Sequence, residues 1–458
     1  LSFYLDSIQD QKRGLKLGEK VLAGLEGYSS EVLKGPTGVE LVGAIDNIGK
    51  RQLLLRRYAE AEASYQKALD LLKGEIILED KQKSLLCAGI YHQLGIVAEE
   101  QRKWKLAEQY YKQALEIKIE AEDRYSQAST YHQLGMVAEK QRKWELAEQY
   151  YKQALEIKTV FYDQYSQAST YHQLGRVAQE QKKWEQAELY YKHALEIFIE
   201  FNDGYSQAGT CQQLGRVAHE QQNWEQAEHY YKQALEIFIE FDDRYSQAGT
   251  YHQLGMAAQE QRNWEQAEHY YKQALEIFIE FDDRYSQAGT YHQLGMAAHE
   301  QRNWEQAEHY YKQALEIFIE FDDRYSQAGT YHQLGMAAQE QQNWEQAELY
   351  YKQALEIFIE FDDWYSQAGT YQQLGLVSLH TEKNKLIESV TWLGKAYYIA
   401  VENNMPLVDQ VIVNIARTMK DMGEDVFVLT WTDVFNGLEP PQRIIYIFEL
   451  FEEVFAWS

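Results

Sequence analysis

Apolar residues recur along most of this chain in two alternating stripes, both at helical spacing. In residues 245–284 the first stripe runs through Ala248, Tyr251, Leu254 and Ala258 at steps of three and four. The second runs through Trp264, Ala267, Tyr271, Ala274, Phe278 and Phe281, again alternating three and four. Between them, Glu260 to Asn263 is a short polar connection. The pattern therefore predicts two helices folded back on each other as an antiparallel hairpin. Prolines stand only at Pro36, Pro406, Pro440 and Pro441, so nothing interrupts helices in the region between.

The hairpin is repeated. Trp104, Trp144, Trp184, Trp224, Trp264, Trp304 and Trp344 follow one another at an unbroken interval of 40 residues. The copy at 285–324 differs from that at 245–284 only where Gln259 becomes His299. A fixed period of this length signals a solenoid, in which each unit buries its apolar face against its neighbours. Gly95, Gly135, Gly175, Gly215, Gly255, Gly295, Gly335 and Gly375 fall mid-helix, where glycine costs about 1 kcal/mol against alanine. Their recurrence implies that close helix packing compensates. Asp282 and Asp283 are placed to cap the helix that opens near Tyr285.

The organisation expected is an N-terminal helical segment over 1–37 and a divergent repeat over 38–84. Seven 40-residue repeats follow over 85–364, then a degenerate repeat with an extra helix over 365–422 and a C-terminal helical cap over 423–458. The divergent first copy shows Gly49, Tyr58, Ala61, Tyr65 and Ala68 in register with the later ones. The stretch from Arg443 to Phe455 is apolar on most faces, as a terminal unit closing an exposed core would be. A docking surface for an absent domain is the other reading of that stretch.

These residues resemble the tetratricopeptide repeat family. Its pattern of an aromatic, a leucine-glycine pair, an alanine, an aromatic and another alanine is met by Tyr251, Leu254-Gly255, Ala267, Tyr271 and Ala274. The match extends over roughly residues 38–422. The usual proline near the end of the second helix is missing, and the period is 40 rather than about 34 residues. The longer period is similar to that of spindle-orientation adaptors and kinesin light chains. The resemblance implies an all-α, right-handed superhelix of about nine hairpins, with partners bound along a concave groove lined by the first helix of each pair.

On that helix, beside the packing stripe, three rows run along the array. The first holds His132, His172, His252, His292 and His332, with Gln212 and Gln372 interrupting. The second holds Met136, Arg176, Arg216, Met256, Met296 and Met336. The third includes Glu99, Glu139, Gln179, His219, Gln259 and His299. The rows vary while the packing residues beside them hardly change. Arg176 and Arg216 followed by a strip of methionines would suit a peptide or helix with an acidic section and then an apolar one, since methionine adapts to irregular apolar surfaces. Family members that grip a C-terminal carboxylate use lysine, asparagine and arginine on the groove. Histidine and methionine here do not predict that clamp.

Composition narrows the function further. The net charge is -27, and the copy at 245–284 carries seven carboxylates against three basic residues. A nucleic-acid partner would need a basic face, so none is expected. No apolar run approaches the ~18 residues of a membrane span. Cys87 and Cys211 lie about three repeats apart, too far for a disulfide, and suit small packing positions in a cytoplasmic protein. His292 and His299 share a helix face but are separated by roughly 10 Å of rise, too far to share one metal ion. No phosphate loop of the GxxxxGK[ST] type and no GxSxG elbow occurs, and neither catalysis nor a cofactor is expected. The reading is a protein-interaction scaffold. The chain opens on Leu1 and closes on an apolar helix, so the alternative is a sensor or regulatory array of a larger signalling protein whose ATPase, protease or kinase part lies elsewhere. Stacking of solenoids through their terminal helices is a third possibility.

Overall fold

Every helix of the repeated copies ends without glycine. Arg262 (φ 57°) and Asp282 (φ 53°) adopt the left-handed conformation at the turns that flank the helix Trp264–Glu280. At the first turn the N–H of Asn263 reaches back to the carbonyl of Ala258, and that of Arg262 to Gln259. These paired bonds occupy carbonyls that a helix end leaves free, and they reverse the chain within three residues. The next helix then opens on a capping aspartate: Asp283 accepts from the N–H of Ser286, as the sequence predicts. A short turn and a cap, repeated, make a stack of hairpins.

The computed structural model describes the backbone of residues 2–74, 76–380 and 385–455, with side chains from 10 to 449 within those spans. Among the described residues there are helices and no strand. The contacts divide the chain into two units, residues 1–223 and 224–458. The first unit contains α1 (Ser2–Glu26), α2 (Ser30–Leu33), α3 (Pro36–Leu54), α4 (Tyr58–Gly74), α5 (Asp80–Glu100), α6 (Trp104–Glu120), α7 (Arg124–Lys140), α8 (Trp144–Val160), α9 (Gln164–Glu180), α10 (Trp184–Glu200) and α11 (Gly204–Glu220). The second contains α12 (Trp224–Glu240), α13 (Arg244–Glu260), α14 (Trp264–Glu280), α15 (Arg284–Glu300), α16 (Trp304–Glu320), α17 (Arg324–Glu340), α18 (Trp344–Glu360), α19 (Trp364–His380), α20 (Leu386–Glu402), α21 (Val408–Met422), α22 (Glu424–Val434) and α23 (Gln442–Phe455).

Within each hairpin the two helices meet across the glycine row. A Cβ built on Gly255 would stand 2.5 Å from the ring of Tyr271, which is fully buried, so glycine is what lets α13 and α14 approach. Ala258, Ala267 and Tyr271 then close over Leu294 of the following hairpin, so each copy completes its core with its neighbour. This is the nearest-neighbour arrangement of a solenoid. The last residue of the stripe, Phe281, closes α14 as its C-cap and stays half exposed.

The ends are covered differently. In the first unit α1 lies against α3. In the second, α21 and α23 pack together, and Ile444 and Phe448 of α23 join Met419, Phe427 and Trp431 in one buried cluster. The side chains from Leu450 to Phe455 lie outside the described residues, so the apolar stretch is seen only in its first half. No described helix is long and apolar enough to cross a membrane.

Candidate functional site

The three rows predicted for the groove lie on the first helices, as the spacing requires, but they are not equally available. The histidines are half-buried and bonded between repeats. His132 Nδ1 lies 3.3 Å from Thr170 Oγ1, and His172 Nδ1 lies 3.2 Å from Thr210 Oγ1. In the second unit His252, His292 and His332 meet Thr290, Thr330 and Thr370 at 3.2, 3.2 and 3.0 Å. Each of these rings also packs against the buried tyrosine of its own hairpin, as His252 does on Tyr271 at 5.3 Å. Burial pushes all five down to about 4 from the usual histidine range, so they stand neutral near pH 7. Lys158 and Arg176 add to this at His132 and His172. The first row is therefore a seam holding consecutive first helices together.

The second row is mixed. Met136, Met256, Met296 and Met336 are partly buried against the inter-repeat clusters and partly open. Arg176 is not a free cation. Its guanidinium meets Glu139 Oε1 at 2.6 Å and Gln173 Oε1 at 3.2 Å. Glu139, in the third row of the preceding copy, also accepts from Tyr151 at 3.1 Å. Arg216 is exposed and makes no ion pair among the described residues. The reason is legible in the rows: one repeat back from Arg216 stands Gln179, not a glutamate, and its oxygen is engaged by Tyr191 at 3.0 Å.

The third row turns inward. Gln259 accepts from Tyr271 at 3.1 Å, a bond that Glu99, Glu139, Gln179 and Gln339 also make with their own tyrosines. His219 is half-buried. His299 packs edge-on to Trp304 at 4.7 Å; its Nε2 and the hydroxyl of Tyr311 are both buried with no partner among the described residues. Substituting histidine for glutamine there breaks the tyrosine bond.

Sequence reasoning missed the residues one step along from each histidine. Ser169, His172 and Gln173 of α9 face Ser206 and Gly209 of α11 across an open depression of about 290 Å³, floored by Phe198 and Tyr205. Nothing lies within 4 Å of a Cβ placed on Gly209, and the same holds for Gly249, Gly289, Gly329 and Gly369. This second glycine row has no packing partner at the Cβ position, so it leaves this side of the first helices open. Its contrast with the Gly255 row was available in the sequence, since earlier copies carry Ser129 and Ser169 in its place. Among the described residues no group of three His, Cys, Asp or Glu side chains could hold a metal ion. Cys87 and Cys211 are both buried and are not joined in a disulfide.

The tetratricopeptide repeat profile matches residues 86–159, 126–200, 166–240, 205–280, 246–320 and 286–360, overlapping windows that together span more than half of the chain. Among solved structures, the apo form of RapI is 17% identical and covers 75% of this chain and 99% of its own, with a TM-score of 0.56. The signal transduction ATPase with numerous domains from Pyrococcus horikoshii, described with a tetratricopeptide repeat sensor, is 18% identical. It covers 77% of this chain with a TM-score of 0.57, and this chain spans 54% of it. The repeats of a kinesin light chain from Podosopora anserina are 17% identical over 43% of this chain and 98% of their own, with a TM-score of 0.39. No curated protein matches. At these identities the likeness is one of fold.

Proposed function

Because the chain belongs to the tetratricopeptide repeat family, we propose that it is a protein-interaction scaffold whose first helices take up peptide or helical segments of partner proteins. The observation that carries this reading is the contrast between the rows. The buried positions of successive copies are nearly invariant, while the second row changes from Met136 to Arg176, Arg216 and back to Met256. Part of the binding energy would come from the half-open methionines, and orientation from Arg216 and the free ring nitrogens of the histidine seam. Many modest contacts along a unit favour long or repetitive ligands.

A second reading is that the array is the sensing part of a larger signalling protein. It is motivated by the ATPase from Pyrococcus horikoshii, described as carrying such repeats as a sensor. The two readings share the same surface and differ in what binding would control.

Affinity capture from lysate of the source cell tests the scaffold reading. The wild-type chain would be compared with Met256→Glu/Met296→Glu, which leaves every histidine–threonine bond in place. Partners recovered by the wild type and lost from the variant support the inner face. Partners retained equally place binding elsewhere.

A further inference from the structure

Where each second helix gives way to the next first helix, the second unit exposes a pair of aromatic rings. Tyr245 packs against Phe281 with ring centroids 5.7 Å apart, yet the rings remain 49% and 48% exposed. The pair recurs as Tyr285–Phe321 and Tyr325–Phe361, at 5.6 Å each. Phe281 lies at the C-cap of α14, beyond the last turn, so the hairpin core covers one side of it only. The pairs are tied into a row. The Tyr245 hydroxyl donates to Asp283 at the next corner at 2.8 Å, Tyr285 does so to Asp323, and Tyr325 to Asp363 at 2.9 Å.

The same corners are acidic. Glu280, Asp282 and Asp283 stand against Arg284 alone, and the next copy repeats the set. Arg284 is committed to Glu320 at 3.1 Å, and Glu280 to Arg244 at 3.1 Å. That leaves Asp282 exposed beside Phe281, with no ion pair among the described residues, and Asp322 likewise beside Phe321. A row of half-open rings offers apolar surface to a partner. Its charge selects the occupant. A second copy of this chain would bring carboxylates against carboxylates, and an anionic lipid surface would be repelled. A lysine or arginine, by contrast, is drawn both to the ring faces and to the neighbouring carboxylate.

We propose that this aromatic edge of the second unit binds a basic segment of a partner protein, seating cationic side chains on successive Tyr–Phe pairs beside Asp282 and Asp322, with intervening apolar side chains against the rings. The site is separate from the inner face of the first helices and does not depend on it.

The test is fluorescence anisotropy of the full chain with a labelled peptide of alternating arginine and leucine. Oligoarginine and a peptide of alternating glutamate and leucine serve as comparisons. Asp282→Asn/Asp322→Asn removes charge at left-handed positions that asparagine tolerates, and Phe281→Ser/Phe321→Ser removes the rings, with helicity checked by circular dichroism. Each pair of changes should weaken the arginine–leucine peptide roughly tenfold or more, about 1.4 kcal/mol, while Met256→Glu/Met296→Glu leaves its affinity unchanged. Three results would overturn the proposal: no binding by the wild type, unchanged affinity in the asparagine variant, or oligoarginine bound as tightly and indifferent to loss of the rings. A concentration-dependent mass abolished by Phe281→Ser/Phe321→Ser would overturn it in favour of a second copy.

Discussion

His252 and Thr290, on the first helices of successive repeats, share a hydrogen bond whose direction is set by the threonine. Thr290 gives its one hydroxyl proton to the carbonyl of Ser286 at 2.8 Å, so at 3.2 Å from the ring it can only accept. The proton must sit on Nδ1 of His252, and Nε2 is the ring's remaining acceptor. His292 with Thr330 and His332 with Thr370 repeat the arrangement, each threonine again bonded to a serine carbonyl.

Acid should loosen this seam. The folded rings titrate near 4, whereas a histidine in the unfolded chain titrates near 6.5. Between those values the unfolded chain takes up protons that the fold refuses. The stability associated with the neutral rings is complete above pH 6.5 and is lost as pH falls towards 4, at up to roughly 1.4 kcal/mol per pH unit for each ring. His292→Gln copies the chain's own Gln212 and Gln372 and should make the decline between pH 7 and 4.5 shallower. Urea unfolding at the two pH values measures it; equal declines in variant and wild type would refute the assignment.

Two glycines on α13 should respond to alanine with opposite signs. At Gly255 the added Cβ meets Tyr271, which has nowhere to move, so overpacking of about 1–3 kcal/mol outweighs the helix gain. At Gly249 the Cβ meets nothing within 4 Å, and the helix preference of alanine should raise stability by up to about 1 kcal/mol. Thermal unfolding of the two variants side by side settles both signs.

Lys158 is a buried base without an ion-pair partner among the described residues. Its ammonium donates to Thr170 Oγ1 at 2.7 Å and to the carbonyl of Ser166 at 3.0 Å, and burial pushes it down to about 8 despite the opposing pull of Asp163. Later copies place Phe198, Phe278 and Phe318 at this position. Lys158→Met strands no group, because Thr170 still donates to Ser166 and His132 still meets Thr170. Stability should rise by roughly 1–3 kcal/mol at neutral pH. In the wild type, the unfolded lysine keeps its proton up to about 10.5 while the folded one releases it near 8, so stability should recover between those values. The gain from methionine should shrink across the same window in denaturation curves at stepped pH.

The hairpins, their turns and the capping aspartates were legible because each rests on one residue type at one spacing: the tryptophans, Gly255 against Tyr271, Asp283 before Ser286. The three rows on the first helices were legible in position but not in state. Spacing puts His252, Met256 and Gln259 on one helix face, yet it says nothing of what the neighbouring copy offers them. Thr290 occupies the histidine and Tyr271 occupies the glutamine. Arg176 loses its freedom to Glu139 across the repeat boundary, and that pairing appears only when rows of adjacent copies are set side by side.

The central claim is that the half-open methionine row on the first helices is what partners touch. Peptides selected from a display library on the wild-type chain, then titrated against Met256→Glu/Met296→Glu, test it most directly. The account predicts a loss of affinity of tenfold or more, about 1.4 kcal/mol, with helicity and unfolding midpoint close to those of the wild type. Selected peptides that bind the variant as tightly as the wild type would contradict it.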